Sequence, residues 1–280
     1  MRARLLLPLL LLAGCAWNEG EGFAVIEPTV RAIYAPEEGR EVFPGYQALA
    51  SNYQVLVTSA AIHLERVELI PRRVAAGPSR FDPANPPAGY TLCHNGHCHR
   101  DDGALISYED IEAELGGGGG VTQPLVTLPV GEVNLLNYTP VDVTCQPDCE
   151  LPQTELSTGR WAITALRLGG LVRDGLTTPR IPGEQRFLLD LTSPAGGSPV
   201  AVLEGELDVP SDRVHKPRVE LQLRLDIPSR IFDQVNWAAV QPAADGTLDL
   251  STPANATARS AILEGLEAVQ PTAEVTRAER

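Results

Sequence analysis

The chain has 280 residues, of which 43% are hydrophobic, enough for one large core or two small ones. Its formal net charge of −14 would repel a polyanion, so we do not expect it to bind nucleic acid. It contains 25 glycines and 24 prolines but only 5% aromatic residues, a composition that favours short strands joined by turns over a helical bundle.

The first fifteen residues have the layout of a secretory signal. A basic start at 1–4 precedes a leucine-rich stretch at 5–12, and small residues follow before Cys15. Leu12-Ala13-Gly14-Cys15 resembles the lipobox of bacterial lipoproteins, whose cysteine carries the lipid and becomes the new N-terminus. An ordinary secretory signal with a chance cysteine is the alternative.

The lipobox resemblance implies that residues 1–14 are a signal peptide that is removed. It also implies that Cys15 anchors the chain to a membrane, with 15–22 as the lipidated cysteine and a polar tether. Position 16 is Ala and not Asp, which, by resemblance to lipoproteins of two-membrane bacteria, favours the outer membrane.

From about residue 23 the chain shows the alternation of β-strands. Apolar and polar residues alternate strictly over 218–227, which predicts a strand with one buried face and one solvent-exposed face. Residues 54–70 contain two predicted strands, but the alternation changes phase between them. This change predicts a β-bulge near Glu65 and Arg66. About eight such strands predict a mainly β protein, an antiparallel β-sandwich of the immunoglobulin or transthyretin type. The other predicted strands are 25–34, 125–137, 161–168, 187–191 and 203–209.

Residues 93–99, Cys-His-Asn-Gly-His-Cys-His, predict a tight hairpin. Asn95-Gly96 is the preferred dipeptide of a two-residue type I′ turn. Such a turn places Cys93 opposite Cys98, as a non-hydrogen-bonded pair that a disulfide can bridge. Strand alternation then directs His94, His97 and His99 to the opposite face.

Three interpretations of this hairpin remain open. The first is a disulfide-stabilised loop with solvated histidines. The second is a transition-metal site, for copper or zinc, at His94, His97 and His99, since imidazole suits both metals; thiolates of Cys93 and Cys98 are a variant of it. The third is haem, because Cys93-x4-Cys98-His99 resembles a longer-spaced form of the covalent haem attachment motif.

Four cysteines besides Cys15 predict disulfide bonds in an exported chain: Cys93, Cys98, Cys145 and Cys149. Four cysteines allow three pairings, and the sequence alone does not choose among them. Cys145 and Cys149 enclose a tight Gln-Pro-Asp loop, so a disulfide within this loop or to the 93–98 loop is expected.

Near the C-terminus, Thr252-Pro253 predicts the start of a helix, which Pro271 ends. We therefore expect a single β-sandwich domain over 23–270, with a loop insertion at about 71–120 and a C-terminal helix. Residues 271–280 are predicted to be a disordered tail.

The sequence contains no nucleophile elbow, no glycine-rich phosphate loop and no His-Glu-x-x-His motif, so we do not expect an enzyme. It predicts instead an extracytoplasmic lipoprotein that binds a metal through its Cys/His hairpin. The alternative is a disulfide-stabilised structural or protein-interaction surface lipoprotein that binds no metal.

Several segments form a recognisable series along the chain: 62–69, 159–169, 223–227, 231–232, Trp237 and 261–266. Taken in order, they are similar to the MbnP-like proteins, the methanobactin-associated periplasmic copper-binding family. The resemblance implies an exported β-sandwich that binds copper, often with a dihaem peroxidase-like partner. It supplies no match for the 93–99 hairpin, so the metal hypothesis for that hairpin depends on residue spacing.

Overall fold

The computed structural model describes residues 24–71, 81–94, 97–101, 104–108, 111, 123–151, 156–209 and 218–277. The predicted signal peptide, Cys15 and the tether lie outside the described residues. The strands are β1 Ala24–Ala35, β2 Glu41–Val42, β3 Tyr46–Ala48, β4 Tyr53–Pro71, β5 Tyr90–His94, β6 His97–Arg100, β7 Leu105–Ser107, β8 Val126–Asn134, β9 Val141–Asp142, β10 Glu150–Leu151, β11 Leu156–Asp174, β12 Gln185–Thr192, β13 Ala201–Glu206, β14 Arg218–Pro228, β15 Leu248–Asp249 and β16 Thr272–Arg277.

Most of the helical residues lie in the last third of the described sequence, and Tyr108 and Ile111 are helical as well. The C-terminal helix spans Ala256–Glu267, and short 3-10 helices span Ser229–Phe232, Trp237–Ala239 and Pro253–Asn255. No helix in the described part of the chain is both long enough and apolar enough to cross a membrane.

Two sheets make up the predicted β-sandwich. The first has the strand order β10-β1-β14-β16, with β9 also paired to β1. The second has the order β15-β12-β11-β4-β3-β2, with β13 beside β11 and β8 beside β4. Inward side chains of both sheets form one continuous core, which includes Val219 and Leu223 from the first sheet and Leu64 and Trp161 from the second.

The most regular predicted strand is confirmed, and its central partner is parallel. Strand β14 buries alternate residues from Val219 to Ile227. It pairs with β1 in parallel over eleven residue pairs, from Val25 with Arg218 to Ala35 with Pro228. Alternation has the same period in parallel and antiparallel sheets, so it does not indicate strand direction.

The predicted bulge is present in one continuous strand. Within β4, Leu64 pairs with Ile163 and Arg66 pairs with Ala162, so Glu65 has no residue opposite it in β11. The extra residue restores the inward direction of Val67 and turns Arg66 to the outer surface of the second sheet. The two strands predicted in 54–70 are thus one strand of 19 residues.

The insertion predicted as a loop at 71–120 contains a folded unit. Strands β5, β6 and β7 form a third sheet, and Phe81, Cys98 and Ile111 make a small separate core beneath it. The insertion therefore contains a small sheet as well as loops. The hairpin motif had indicated two of the strands, whereas β7 is specified by its pairing along β6.

The C-terminal tail also differs from the prediction. Residues 272–277, expected to be disordered, form β16 and pair antiparallel with β14. Ala273 and Val275 pack against the main core, which offsets the cost of ordering them. The helix ends at Glu267, before Pro271. A Cβ at Gly265 would lie 2.8 Å from Cα of Ile231, so only glycine allows the helix this close to the 3-10 turn beneath it.

Candidate metal centre

The hairpin has the predicted register. Cys93 pairs with Cys98 and His94 with His97, while the turn residues 95–96 lie outside the described part of the chain. The structure contains the disulfides Cys93–Cys98 and Cys145–Cys149, so both pairings are local. Cys98 is fully buried in the small core, and the disulfide therefore occupies the inner face of the hairpin.

The three predicted histidines lie together on the other face of the hairpin. Nε2 of His94 is 3.1 Å from Nε2 of His99, and the three ring centroids are 4.8 to 5.5 Å apart. His97 is 8% exposed, while the other two are half-buried. Strand alternation around a disulfide is enough to produce this grouping.

A fourth group comes from the C-terminal helix. Oε2 of Glu267 lies 3.8 Å from Nε2 of His94 and 3.9 Å from Nε2 of His97. One ligand atom from each of these three residues and from His99 fits within a span of 4.8 Å. Sequence reasoning missed Glu267, because its one signal, a carboxylate beside an apolar helical stripe, is common on surface helices.

Burial shifts the pKa values of two groups in this cluster. The Glu267 side chain is only 7% exposed, and burial raises its pKa to about 7, with the nearby Glu264 adding to the shift. Burial also lowers the pKa of His99, and His94 lowers it further. A neutral imidazole is the form that binds metal, and a buried carboxylate is stabilised by a cation.

The geometry fits a small divalent ion. Tetrahedral zinc with bonds of about 2.0–2.1 Å would hold its ligand atoms about 3.3 Å apart. The observed separations, from 3.1 Å to at most 4.8 Å, bracket that value, so the four ligand atoms already lie near the spacing that the ion requires. Three imidazoles and a carboxylate suit Zn(II) and Cu(II).

The hairpin disulfide restricts the chemistry further. Covalent haem attachment requires two free thiols, and Cys93 and Cys98 use theirs in the disulfide. The same bond removes both thiolates from a metal-ligand set. Of the remaining histidines, His63 bonds Thr164 Oγ1 through Nδ1 at 2.8 Å on the second sheet, and His215 lies outside the described residues.

Beyond the geometry, known proteins add nothing to the assignment of this site. Comparison of the chain with protein-family models, with curated proteins and with solved structures gives no match in any of the three. The cluster of His94, His97, His99 and Glu267 is therefore the observation from which function must be argued.

Proposed function

We propose that this protein is an exported, lipid-anchored protein that binds one divalent transition-metal ion, copper or zinc. The ligands are His94, His97, His99 and Glu267. The observation that carries the proposal is the convergence of their four ligand atoms within 4.8 Å. The carboxylate comes from a helix far along the chain from the hairpin, so local sequence alone does not account for the grouping.

The ligand types favour a divalent ion over Cu(I). Cu(I) is selected by soft thiolate or thioether ligands. The four cysteines of the described chain are in disulfides, and the single methionine is Met1. Four protein ligands also make a closed set, which is typical of sites that hold a metal and not of catalytic sites with an open position.

Export to the cell envelope is supported by two independent features. The segment before Cys15 resembles a lipobox, and the two disulfides are bonds that persist in oxidising compartments. We propose that Cys15 carries the lipid and that the metal centre acts outside the cytoplasm, at the outer membrane.

The test is elemental analysis of residues 16–280, exported to a periplasm, purified without a histidine tag and exposed to zinc or copper. We expect about one retained ion per chain. Alanine at His94, His97 and His99 together should abolish retention. His63→Ala, which removes a histidine outside the cluster, is the matched control and should retain the ion.

Retention of no metal, or equal retention by the triple variant, would contradict the proposal. The protein would then be better described as a disulfide-stabilised structural or interaction lipoprotein.

A further inference from the structure

A cavity of about 360 Å³ opens beside the candidate metal centre. His97 and Glu267 are part of its wall, so the cavity and the centre share two residues. Its volume lies in the range of small-molecule sites, which starts at about 300 Å³. About half of its lining is apolar, namely Leu105, Ala162, Pro199, Val202, Ala268 and Val269.

Two arginines are held in place in the wall of this cavity. Nε of Arg66 donates to Oε1 of Glu68 at 2.6 Å, and its Nη1 lies 2.8 Å from a carboxylate oxygen of Glu65. Nε of Arg160 donates to Glu204 at 2.8 Å. Nη2 of Arg66 has no hydrogen-bond partner within the described chain, so a fixed guanidinium retains donor capacity for a ligand.

The charge of the cavity depends on the metal. Without a metal, the carboxylates of Glu68, Glu204 and of Glu65, which pairs with Arg66, outnumber the guanidiniums of Arg66 and Arg160, and an anion is repelled. A divalent ion at the centre offsets both this excess and the charge of Glu267, so an anion is no longer repelled. The loaded cavity then favours a ligand of low charge over a highly charged one.

We propose that the metal-loaded protein binds a small organic carboxylate in this cavity, an inference that rests on the proposed function. Nη2 of Arg66 donates to the carboxylate, in the charge-assisted geometry typical of arginine. The apolar part of the wall covers the carbon skeleton of the ligand. Inorganic sulfate or phosphate fits less well, because it carries more negative charge and has no apolar surface to bury.

The experiment is a calorimetric titration of residues 16–280, which include every described residue, with acetate and with benzoate. We expect benzoate to bind zinc-loaded protein and not metal-free protein. Arg66→Gln should weaken benzoate binding at least about tenfold, since it removes a charge-assisted hydrogen bond. Arg66→Lys keeps the charge but lacks Nη2, and should show a smaller loss.

Arg167→Gln is the matched control. Arg167 is on the outer face of the same sheet and also pairs with carboxylates, those of Glu132 and Asp190, but it is not part of the cavity wall. Its loss should leave benzoate binding unchanged. Near-ultraviolet circular dichroism of each variant establishes that it is folded, and the lysine variant decides the question if the glutamine variant is not.

Zinc content, measured on the same samples, separates this inference from the proposed function. Protein that holds zinc but binds neither carboxylate overturns the inference and leaves the metal function intact. Equal benzoate binding with and without zinc overturns the metal dependence. Equal binding by wild type and both Arg66 variants overturns the assigned position, and failure to hold either zinc or copper overturns both proposals.

Discussion

Glu267 joins the C-terminal helix to the histidine hairpin, and at the scale of single residues it is the most informative side chain of the centre. Its carboxylate is buried beside three imidazoles, where ionisation without a cation is costly. A bound divalent ion would stabilise the ionised form. The metal affinity should therefore depend on this residue as strongly as on a histidine.

Glu267→Gln keeps the shape of the side chain and removes its charge. Loss of an outer-shell partner alone costs metal affinity about 10- to 100-fold, so loss of a direct ligand should cost at least about tenfold. Competition with a chromogenic chelator measures the change. Glu41→Gln, at an exposed position of strand β2, is the control; equal affinities of the two variants would exclude Glu267 as a ligand.

At the scale of elements, the hairpin disulfide positions the imidazoles. Cys93 and Cys98 bond on the inner face of the hairpin, and Cys98 is fully buried. Without that bond, the two strands are held by few hydrogen bonds and can separate. The outer face would then present its histidines in many arrangements, which raises the entropic cost of binding a metal.

Serine at both Cys93 and Cys98 should therefore lower metal affinity by about tenfold or more, a loss of preorganisation of about 1.4 kcal/mol. Serine at both Cys145 and Cys149 is a control of nearly equal loop size, with a sequence separation of 4 against 5. Each change should cost about 2 kcal/mol of unfolding free energy. If both pairs of substitutions lowered metal affinity alike, the effect would be one of general stability.

At the scale of the whole molecule, an arginine–aspartate pair ties two connections of the sandwich together. Arg180 donates to both oxygens of Asp174 at 2.7 and 3.1 Å and also to the carbonyl oxygen of Ser51 at 2.8 Å. Its guanidinium stacks 3.9 Å from the ring centre of Tyr53. The loop after β11 is thereby fastened to the start of β4.

This ion pair should make the stability of the fold depend on pH in the acidic range. The side-chain hydrogen bond from Arg180 is the main reason that the pKa of Asp174 lies well below its usual range. Because the folded-state pKa is depressed, the contribution to stability is complete above the unfolded-state pKa of about 3.9 and is lost as the pH falls below it.

We expect Asp174→Asn to lower Tm at pH 7, and the difference from wild type to shrink below about pH 4. Thermal unfolding followed between neutral and strongly acidic pH measures this. Asp142→Asn, on an exposed edge strand, is the control. A constant difference in Tm at every pH would show that the ionised carboxylate is not responsible.

The same scale shows which features of the fold can be predicted. Strand β14 and the bulge at Glu65 follow from alternation and its slip, because a two-residue period is a local property of the backbone. The parallel pairing of β1 with β14 and the added strand β16 are not local. Each depends on which sheet edge is open once the core has formed.

In the candidate site, too, some features follow from local sequence and others from tertiary packing. The sequence by itself determined the register of the 93–99 hairpin, because Asn95-Gly96 and strand alternation specify which side chains share a face. Only the tertiary structure brought Glu267 to the histidines and Arg66 to the adjacent cavity. The physical reason is that these groups belong to separate elements, whose relative position is set by core packing and not by local backbone preference.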